Sequence, residues 1–205
     1  MLIYIVRHGE TKLNAAGVMQ GWLDEPLNTA GITLAQITGR EMRNIRFDSC
    51  ISSPLARARQ TVEIILRESG NANVRIETDA RIQEINFGSE EGRPLDKNKY
   101  GKFFTDPFQF EGFPKGENIH QVCKRTQAFL KELIERDDEK TYLIGTHGCA
   151  LRAMLNFLYT EREDYWHKRV PYNCAVNIIE AHNGIGKLIA DDKIYYDPEF
   201  CVDRY

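Results

Sequence analysis

Five apolar residues, Leu2 to Val6, run without interruption and stop at Arg7-His8-Gly9. The run is too short to span a membrane and lacks the alternation of a half-exposed strand. It predicts a strand buried on both faces of a sheet. Gly9 permits a tight turn, and Thr11 can cap a short helix after it. Arg7 and His8 are thereby delivered to the carboxyl edge of the sheet, where open α/β folds keep their ligand sites.

The pattern then alternates between helical and strand periods. A Gly-, Pro- and Asp-containing loop through Gln20-Gly21 leads to Asn28 or Thr29, which caps a helix reaching about Arg46, with Ala30, Leu34, Ile37, Met42 and Ile45 inward. Asp48–Ser53 reads as a short strand. After Pro54, the residues Leu55, Ala58, Val62 and Ile65 mark an amphipathic helix ending near Gly70, with Arg57 and Arg59 in its first turn. Val74 to Glu77 reads as a strand. From about 89 to 115 the pattern is irregular, with lysines 97, 99 and 102 among several phenylalanines. This stretch predicts either short helices capping the site or a solvated loop anchored by its aromatics. Helical spacing returns from Asn118 to about Arg136. Thr141 to Thr146 repeats the opening strand, ends in His147-Gly148, and leads into a helix to about Tyr159. Asn173–Glu180 and Ile185–Ala190 read as strands around the His182-Asn183-Gly184 turn. The segment from Lys193 to Tyr205 is left unplaced. Alternating strands and helices predict a single α/β domain over residues 1–205, a three-layer αβα sandwich around a mostly parallel sheet.

Composition narrows the function classes. The chain has 205 residues and a net charge of −3, which suits one soluble domain without a broad nucleic-acid or membrane footprint. No stretch approaches the roughly 18 apolar residues of a membrane helix. The first apolar run ends at the candidate site, so its removal as a leader would destroy what it presents. Cys50, Cys123, Cys149, Cys174 and Cys201 contain no Cys-x-x-Cys pair and read as reduced thiols of a cytoplasmic protein.

His8-Gly9 and His147-Gly148 each follow a buried strand. If those strands are neighbours, the two imidazoles meet at one sheet edge, and a purely structural reading loses ground. His120, His167 and His182 lack such a setting and read as structural.

With these pieces in view, the chain resembles the histidine phosphatase superfamily, the phosphoglycerate mutase-like group. The resemblance rests on Arg7-His8-Gly9-Glu10-Thr11 with Asn14, and on Ser53-Pro-Leu-Ala-Arg57-Ala58-Arg-Gln60-Thr61. It continues in Glu84 with Phe87-Gly88 and Glu91-Gly92, in Gly116-Glu117 with Arg125, and in Thr146-His147-Gly148 with Arg152. It implies that His8 is the nucleophile forming a phosphohistidine, and that Arg7, Arg57 and His147 hold the phosphoryl oxygens. Asn14, Gln20, Gly21 and Gly148 match secondary substrate contacts, and Glu84 matches the general acid. Arginine suits the phosphoryl role because its planar fork donates two hydrogen bonds and stays charged. Glu84 has to carry a proton near neutrality, which enclosure beside Phe87 and a phosphate dianion would favour. Arg59 reads as a solvated helix residue, and Glu10 and Glu117 have no comparable case as acids. The nucleophilic ring must be neutral, and the group fixing its tautomer is not evident from the sequence.

Three departures bear on the activity. Glu90 stands where relatives often carry an aromatic, which predicts a more polar pocket wall. Asn118 replaces a serine and caps a helix equally well. The segment after Glu84 is short, as in the phosphatase branch, whereas the mutases carry a longer basic insertion. The expected activity is therefore phosphomonoester hydrolysis of a small phosphorylated metabolite: a sugar phosphate, a phosphoglycerate-like compound or a ribazole phosphate. The rival readings are a cofactor-dependent phosphoglycerate mutase and a non-catalytic phospho-ligand module. No cofactor or metal is implied, and the expected state is monomer or homodimer. No cysteine is followed by an arginine six residues on, and neither a Walker loop nor a His-Glu-x-x-His motif occurs. The lysines of 89–115 hint at an anionic substrate group and its phenylalanines at a ring.

Overall fold

The structure is a computed structural model and describes residues 1–167 and 169–200. Strand β1 (Leu2–Arg7) is followed by one helical turn, α1 (Lys12–Ala15). Thr11 caps that turn reciprocally: its hydroxyl accepts from the Asn14 N–H, and the Asn14 side chain accepts from the Thr11 N–H. Then come α2 (Thr29–Glu41), β2 (Ser49–Ser52), α3 (Ala56–Glu68), β3 (Ile76–Thr78) and α4 (Lys97–Thr105). The chain continues with α5 (Ile119–Glu135), β4 (Thr141–Thr146), α6 (Gly148–Leu155), β5 (Val176–His182) and β6 (Ile185–Lys193).

The strands form one sheet in the order β3-β2-β4-β1-β5-β6. The first four are parallel, and β5 and β6 add an antiparallel hairpin at one edge. Its two-residue turn places Asn183 and Gly184 at φ 51° and 72°, the geometry that matches strand twist. Successive β1 residues face opposite layers. Ile3 and Ile5 pack with Leu130 and Leu133 of α5 and Leu151 and Met154 of α6, whereas Val6 packs with Met42 and with Val62 and Ile65 of α3. The result is the expected three-layer αβα arrangement.

Register sets the site. β1 pairs with β4 so that Arg7 lies opposite Thr146, and the His8 N–H donates to the Thr146 carbonyl at 2.9 Å. The next residue on each strand is a histidine, so His8 and His147 leave the sheet at the same level. On the far side of β4, Ser52 pairs with Gly145, which brings Ser53 to the same edge.

Several boundaries differ from the sequence pattern. α2 ends at Glu41 rather than near Arg46, because Met42 turns into the core and the Ile45 N–H returns to the Met42 carbonyl. Of the residues expected inward, Leu34 and Met42 are buried and Ile37 and Ile45 partly so, but the first turn differs. Ala30 is exposed, and the contact runs through Gly31, Leu34, Ala35, Thr38 and Gly39. Hydrophobic spacing passed over the glycines, yet they form the seam. A Cβ at Gly31 would stand 2.2 Å from the Glu10 carbonyl oxygen, so only glycine lets α2 approach the turn after β1. The helix after His147 ends its α-form at Leu155 and finishes as a 3₁₀ turn to Leu158. Segment 89–115 is no solvated loop: Tyr100, Phe103 and Phe113 are buried among Phe87, Phe110 and Trp166. Of the segment from Lys193, Tyr196 is buried and its hydroxyl donates to the Asn173 carbonyl, while residues 201–205, including Cys201, lie outside the described residues.

The tight α2 seam yields a first prediction. Gly31→Ala should destabilise the fold by about 1–3 kcal/mol, the usual cost of overpacking against fixed backbone. A lower urea midpoint with an unchanged m-value is the expected result.

Candidate active site

The carboxyl ends of β1, β4 and β2 gather His8, His147, Arg7, Arg57 and Ser53 beneath the turns that follow them. The two imidazole rings lie 5.1 Å apart between centroids, tilted by 59°. The site opens into a pocket with Arg7, His8, Asn14, Gln20 and Glu84 as its polar floor. Its walls are apolar, from Met19, Phe87, Leu95, Phe103, Phe104 and Trp166.

His8 is buried, and its Nδ1 stands 2.7 Å from the Gly9 carbonyl oxygen. A carbonyl can only accept, so Nδ1 carries the proton and Nε2 presents a lone pair. Burial, then Arg57 and Arg7, hold the pKa of His8 well below its ordinary value despite the Gly9 bond, and the ring is neutral at pH 7. The tautomer-fixing group that was not evident in the sequence is therefore the backbone of the next residue. His147 is likewise held well below its ordinary pKa, by burial and then by Arg57 and His8. Its Nε2 lies 2.8 Å from the Ser53 hydroxyl, and its Nδ1 has no partner. If Ser53 donates to Nε2, Nδ1 carries the hydrogen and is a neutral donor beside His8.

The two arginines are set differently. The Arg57 Nε donates to His8 Nε2 at 3.3 Å, while its terminal nitrogens donate to the carbonyls of Gly21 at 2.6 Å and Leu23 at 2.9 Å. Burial lowers its pKa to about 10, which leaves it charged at neutral pH. Arg7 donates through one terminal nitrogen to the Pro171 carbonyl, and its buried Nε is unpaired. Gln20 accepts from the Thr11 hydroxyl, and its amide nitrogen is also buried and unpaired. Gly148 packs against Arg7; a Cβ there would meet Val170 at 2.8 Å and the Arg7 Nε at 3.4 Å. The Gly21 N–H donates to Glu91, so both polar groups of its backbone are engaged within the protein. Arg59 is exposed, as expected.

Glu84 lies at the start of α6. Its Oε1 accepts from the N–H groups of Ala150 at 2.9 Å and Ile85 at 3.0 Å, and its Oε2 from that of Cys149 at 3.2 Å. A guanidinium clip fixes the loop that carries it. Arg125 donates to the carbonyls of Arg81, Gln83 and Glu84 while pairing in two places with Glu117. Glu91 does the same for the neighbouring loops by accepting from the N–H groups of Gly21, Trp22, Leu23 and Phe87. Asn173 also donates to the His8 carbonyl. Glu91, Glu117 and Arg125 stood in the sequence only as members of recurring motifs; no periodicity or local spacing marked them as clips.

Two sequence expectations need correction. Glu90 does not make the pocket wall polar: it is paired with Lys99 at 3.1 Å and Arg93 at 3.8 Å and lies outside the lining. Nor do lysines 97, 99 and 102 reach that lining; all three are exposed, and the aromatics of their segment face inward instead. The separation follows from helix geometry, since Phe103 and Phe104 occupy the buried side of α4. His120, His167 and His182 lie away from the pocket. Among the described residues no group of three or more His, Cys, Asp or Glu is placed to hold a metal ion, and no helix is long and apolar enough to cross a membrane.

Comparison with known proteins agrees with this geometry. The model of the histidine phosphatase superfamily (branch 1) matches residues 3–190. The probable phosphoglycerate mutase GpmB of Yersinia pestis (strain Pestoides F) is 35% identical over 161 residues, covering 76% of this chain and 74% of its own. Bacillus stearothermophilus YhfR superposes with a TM-score of 0.85 at 29% identity, over 94% of this chain and 97% of that one. A phosphoserine phosphatase from Entamoeba histolytica, solved in complex with 3-phosphoglyceric acid, gives 0.76 at 26% identity, over 92% and 95%. With its two histidines facing each other across paired strands, the chain belongs to the histidine phosphatase superfamily, branch 1.

Proposed function

We propose that this protein is a phosphomonoester hydrolase that works through a phosphohistidine on His8. One observation carries the reading. Three buried nitrogens, the Arg7 Nε, the Gln20 Nε2 and the His147 Nδ1, lack partners around a neutral imidazole whose Nε2 lone pair accepts one long hydrogen bond, from Arg57. Buried donors are almost always paired, so a cluster of unpaired ones calls for a ligand rich in acceptors. A phosphoryl group has three such oxygens, and the charges of Arg7 and Arg57 favour its dianion.

In this reading Nε2 of His8 attacks phosphorus while the bond to the leaving oxygen breaks. Arg57, already at Nε2, moves its hydrogen bond to a phosphoryl oxygen, and Arg7, Gln20, Asn14 and His147 hold the others. Glu84 gives its proton to the leaving oxygen. Its Oε2, with a single long hydrogen bond, is the oxygen suited to that exchange. Water then attacks phosphorus, the P–N bond breaks, and the Glu84 carboxylate takes the water proton, which releases inorganic phosphate and restores the site. The relatives named as probable phosphoglycerate mutases favour a second reading, in which the phosphoryl group returns to the other hydroxyl of a phosphoglycerate. The apolar walls favour hydrolysis of a bulkier ester, because a small, multiply charged acid gains nothing from them.

Three outcomes test the proposal. In EDTA, wild type should hydrolyse aryl phosphates, and His8→Ala should lower kcat by at least about 10³-fold, as loss of a nucleophile does elsewhere. Activity surviving in His8→Ala rules out the nucleophile, and 2,3-bisphosphoglycerate-stimulated equilibration of 3- and 2-phosphoglycerate selects the mutase reading. Glu84→Gln should reduce turnover of alkyl phosphates by about 10²–10⁴-fold, the range of general-acid contributions. It should affect the first step with 4-nitrophenyl phosphate far less, because that leaving group departs unprotonated; pre-steady-state bursts separate the two steps.

The third outcome concerns pH. His8 and His147 both fold with pKa values below the usual 6.5, so below that pH the unfolded chain binds protons that the folded chain does not. Stability is therefore fully present above pH 6.5 and falls as pH drops. His8→Gln should flatten that decline by up to about 1.4 kcal/mol per pH unit, measured by urea unfolding between neutral and mildly acidic pH.

A further inference from the structure

Phe104 and Trp166 form a stacked pair with ring centroids 5.9 Å apart and planes 21° from parallel. Trp166 is anchored by its indole N–H, which donates to the Phe103 carbonyl at 3.1 Å. With Val170, the pair borders both the His8 pocket and an adjoining open groove. Lys97, Gly101 and Thr105, four residues apart on one face of α4, form a further wall of that groove, and Arg169 completes it. A Cβ on Gly101 would meet nothing within 4 Å, so this side of the helix faces open space.

The charge of the groove is one-sided. Among the described residues no carboxylate borders it. Lys99, on another face of α4, is neutralised by Glu90, whereas Lys97 makes no ion pair among the described residues. Among the described residues Arg169 also lacks an acidic partner, yet it is held in place. Its guanidinium lies 4.8 Å from the centroid of the Tyr172 ring and donates to the Tyr172 hydroxyl, and its carbonyl accepts from buried Arg152 at 3.1 Å. An exposed arginine fixed at both ends and left without a counter-ion is a preorganised cation.

We infer that the groove is a second anion subsite. The favoured substrates are phosphomonoesters whose leaving group is a ring, lodged along Phe104 and Trp166, that carries a second negative group toward Lys97 and Arg169. The inference rests on the phosphatase reading above and narrows it to a substrate class. It also gives the lysine-and-phenylalanine composition of segment 89–115 a geometry, with the aromatic side of α4 facing the ring and Lys97 facing its distal charge.

Binding of non-hydrolysable analogues tests this apart from turnover. Calorimetry would compare biphenylmethyl phosphonate with the same compound bearing a carboxylate at the far para position. At low salt, wild type should bind the carboxylated compound at least about threefold more tightly, as partly screened surface cations allow. The preference should shrink at high salt. It should vanish in the double variant Lys97→Gln/Arg169→Gln and reverse in Lys97→Glu/Arg169→Glu. Equal affinities in wild type, or a preference that survives both double variants, would overturn the subsite. Hydrolysis of unsubstituted phenyl phosphate by the wild type, assayed alongside, reports on the phosphatase reading separately: its absence defeats that reading, whereas its presence without a binding preference defeats only the subsite.

Discussion

Two guanidinium groups, Arg7 and Arg57, are buried beside the His8 ring, and much of the surrounding chain is arranged around that charge. Taking an ion out of water costs several kcal/mol unless hydrogen bonds replace its hydration. Here backbone carbonyls replace it. The Gln20–Leu23 loop turns its Gly21 and Leu23 carbonyls onto Arg57, and Pro171 turns its carbonyl onto Arg7. Burial first, and then the same positive field, keeps both histidines neutral. In the proposed mechanism, a neutral nucleophile and a positive oxyanion cradle are two results of the same burial and charge.

Loops that present carbonyls to a buried cation must themselves be fixed, and three side-chain clips do this. Glu91 collects four backbone N–H groups and joins the Gly21–Leu23 turn to Phe87. Arg125, paired with Glu117, gathers three carbonyls of the Arg81–Glu84 stretch. Arg152, fully buried and paired with Asp191 and Asp192 from β6, holds the Arg169 carbonyl two residues before Pro171. The edge hairpin therefore reaches the site indirectly: β6 steadies Arg152, Arg152 steadies the 169–171 segment, and that segment steadies Arg7.

Legibility in the sequence followed the range of the interaction. The β1 and β4 strands were readable because each is a short apolar run closed by a polar break, and their bounds agree with the pattern. Thr11 as a cap and Asn183-Gly184 as a hairpin turn were readable because their chemistry is local. Arg57 could be selected over Arg59 only through a family motif, since both lie off the apolar stripe and burial alone separates them. Some of what spacing missed depends on contacts distant in sequence, and some on near neighbours whose geometry only the fold sets. The α2 seam is built from glycines whose value lies in what presses against them, and Glu90 faces its own lysine and arginine rather than the pocket. The Gly9 carbonyl that sets the His8 tautomer is one residue away, yet nothing in side-chain identity announces it.

The placement of Glu84 joins these themes. A residue that donates a proton to a leaving group and then accepts one from water has to occupy the same spot in both steps, before and after its charge changes. Three backbone donors from two separate segments, Ile85 on one side and Cys149 with Ala150 on the other, leave the carboxyl little freedom to turn. Cys149 and Ala150 lie just beyond His147, so the strand that delivers that ring also positions Glu84, while β1 delivers His8 opposite. A change in the β1–β4 register would displace all three groups together. Under the proposed mechanism, that shared dependence makes the pairing of Arg7 with Thr146 a functional constraint as much as a structural one.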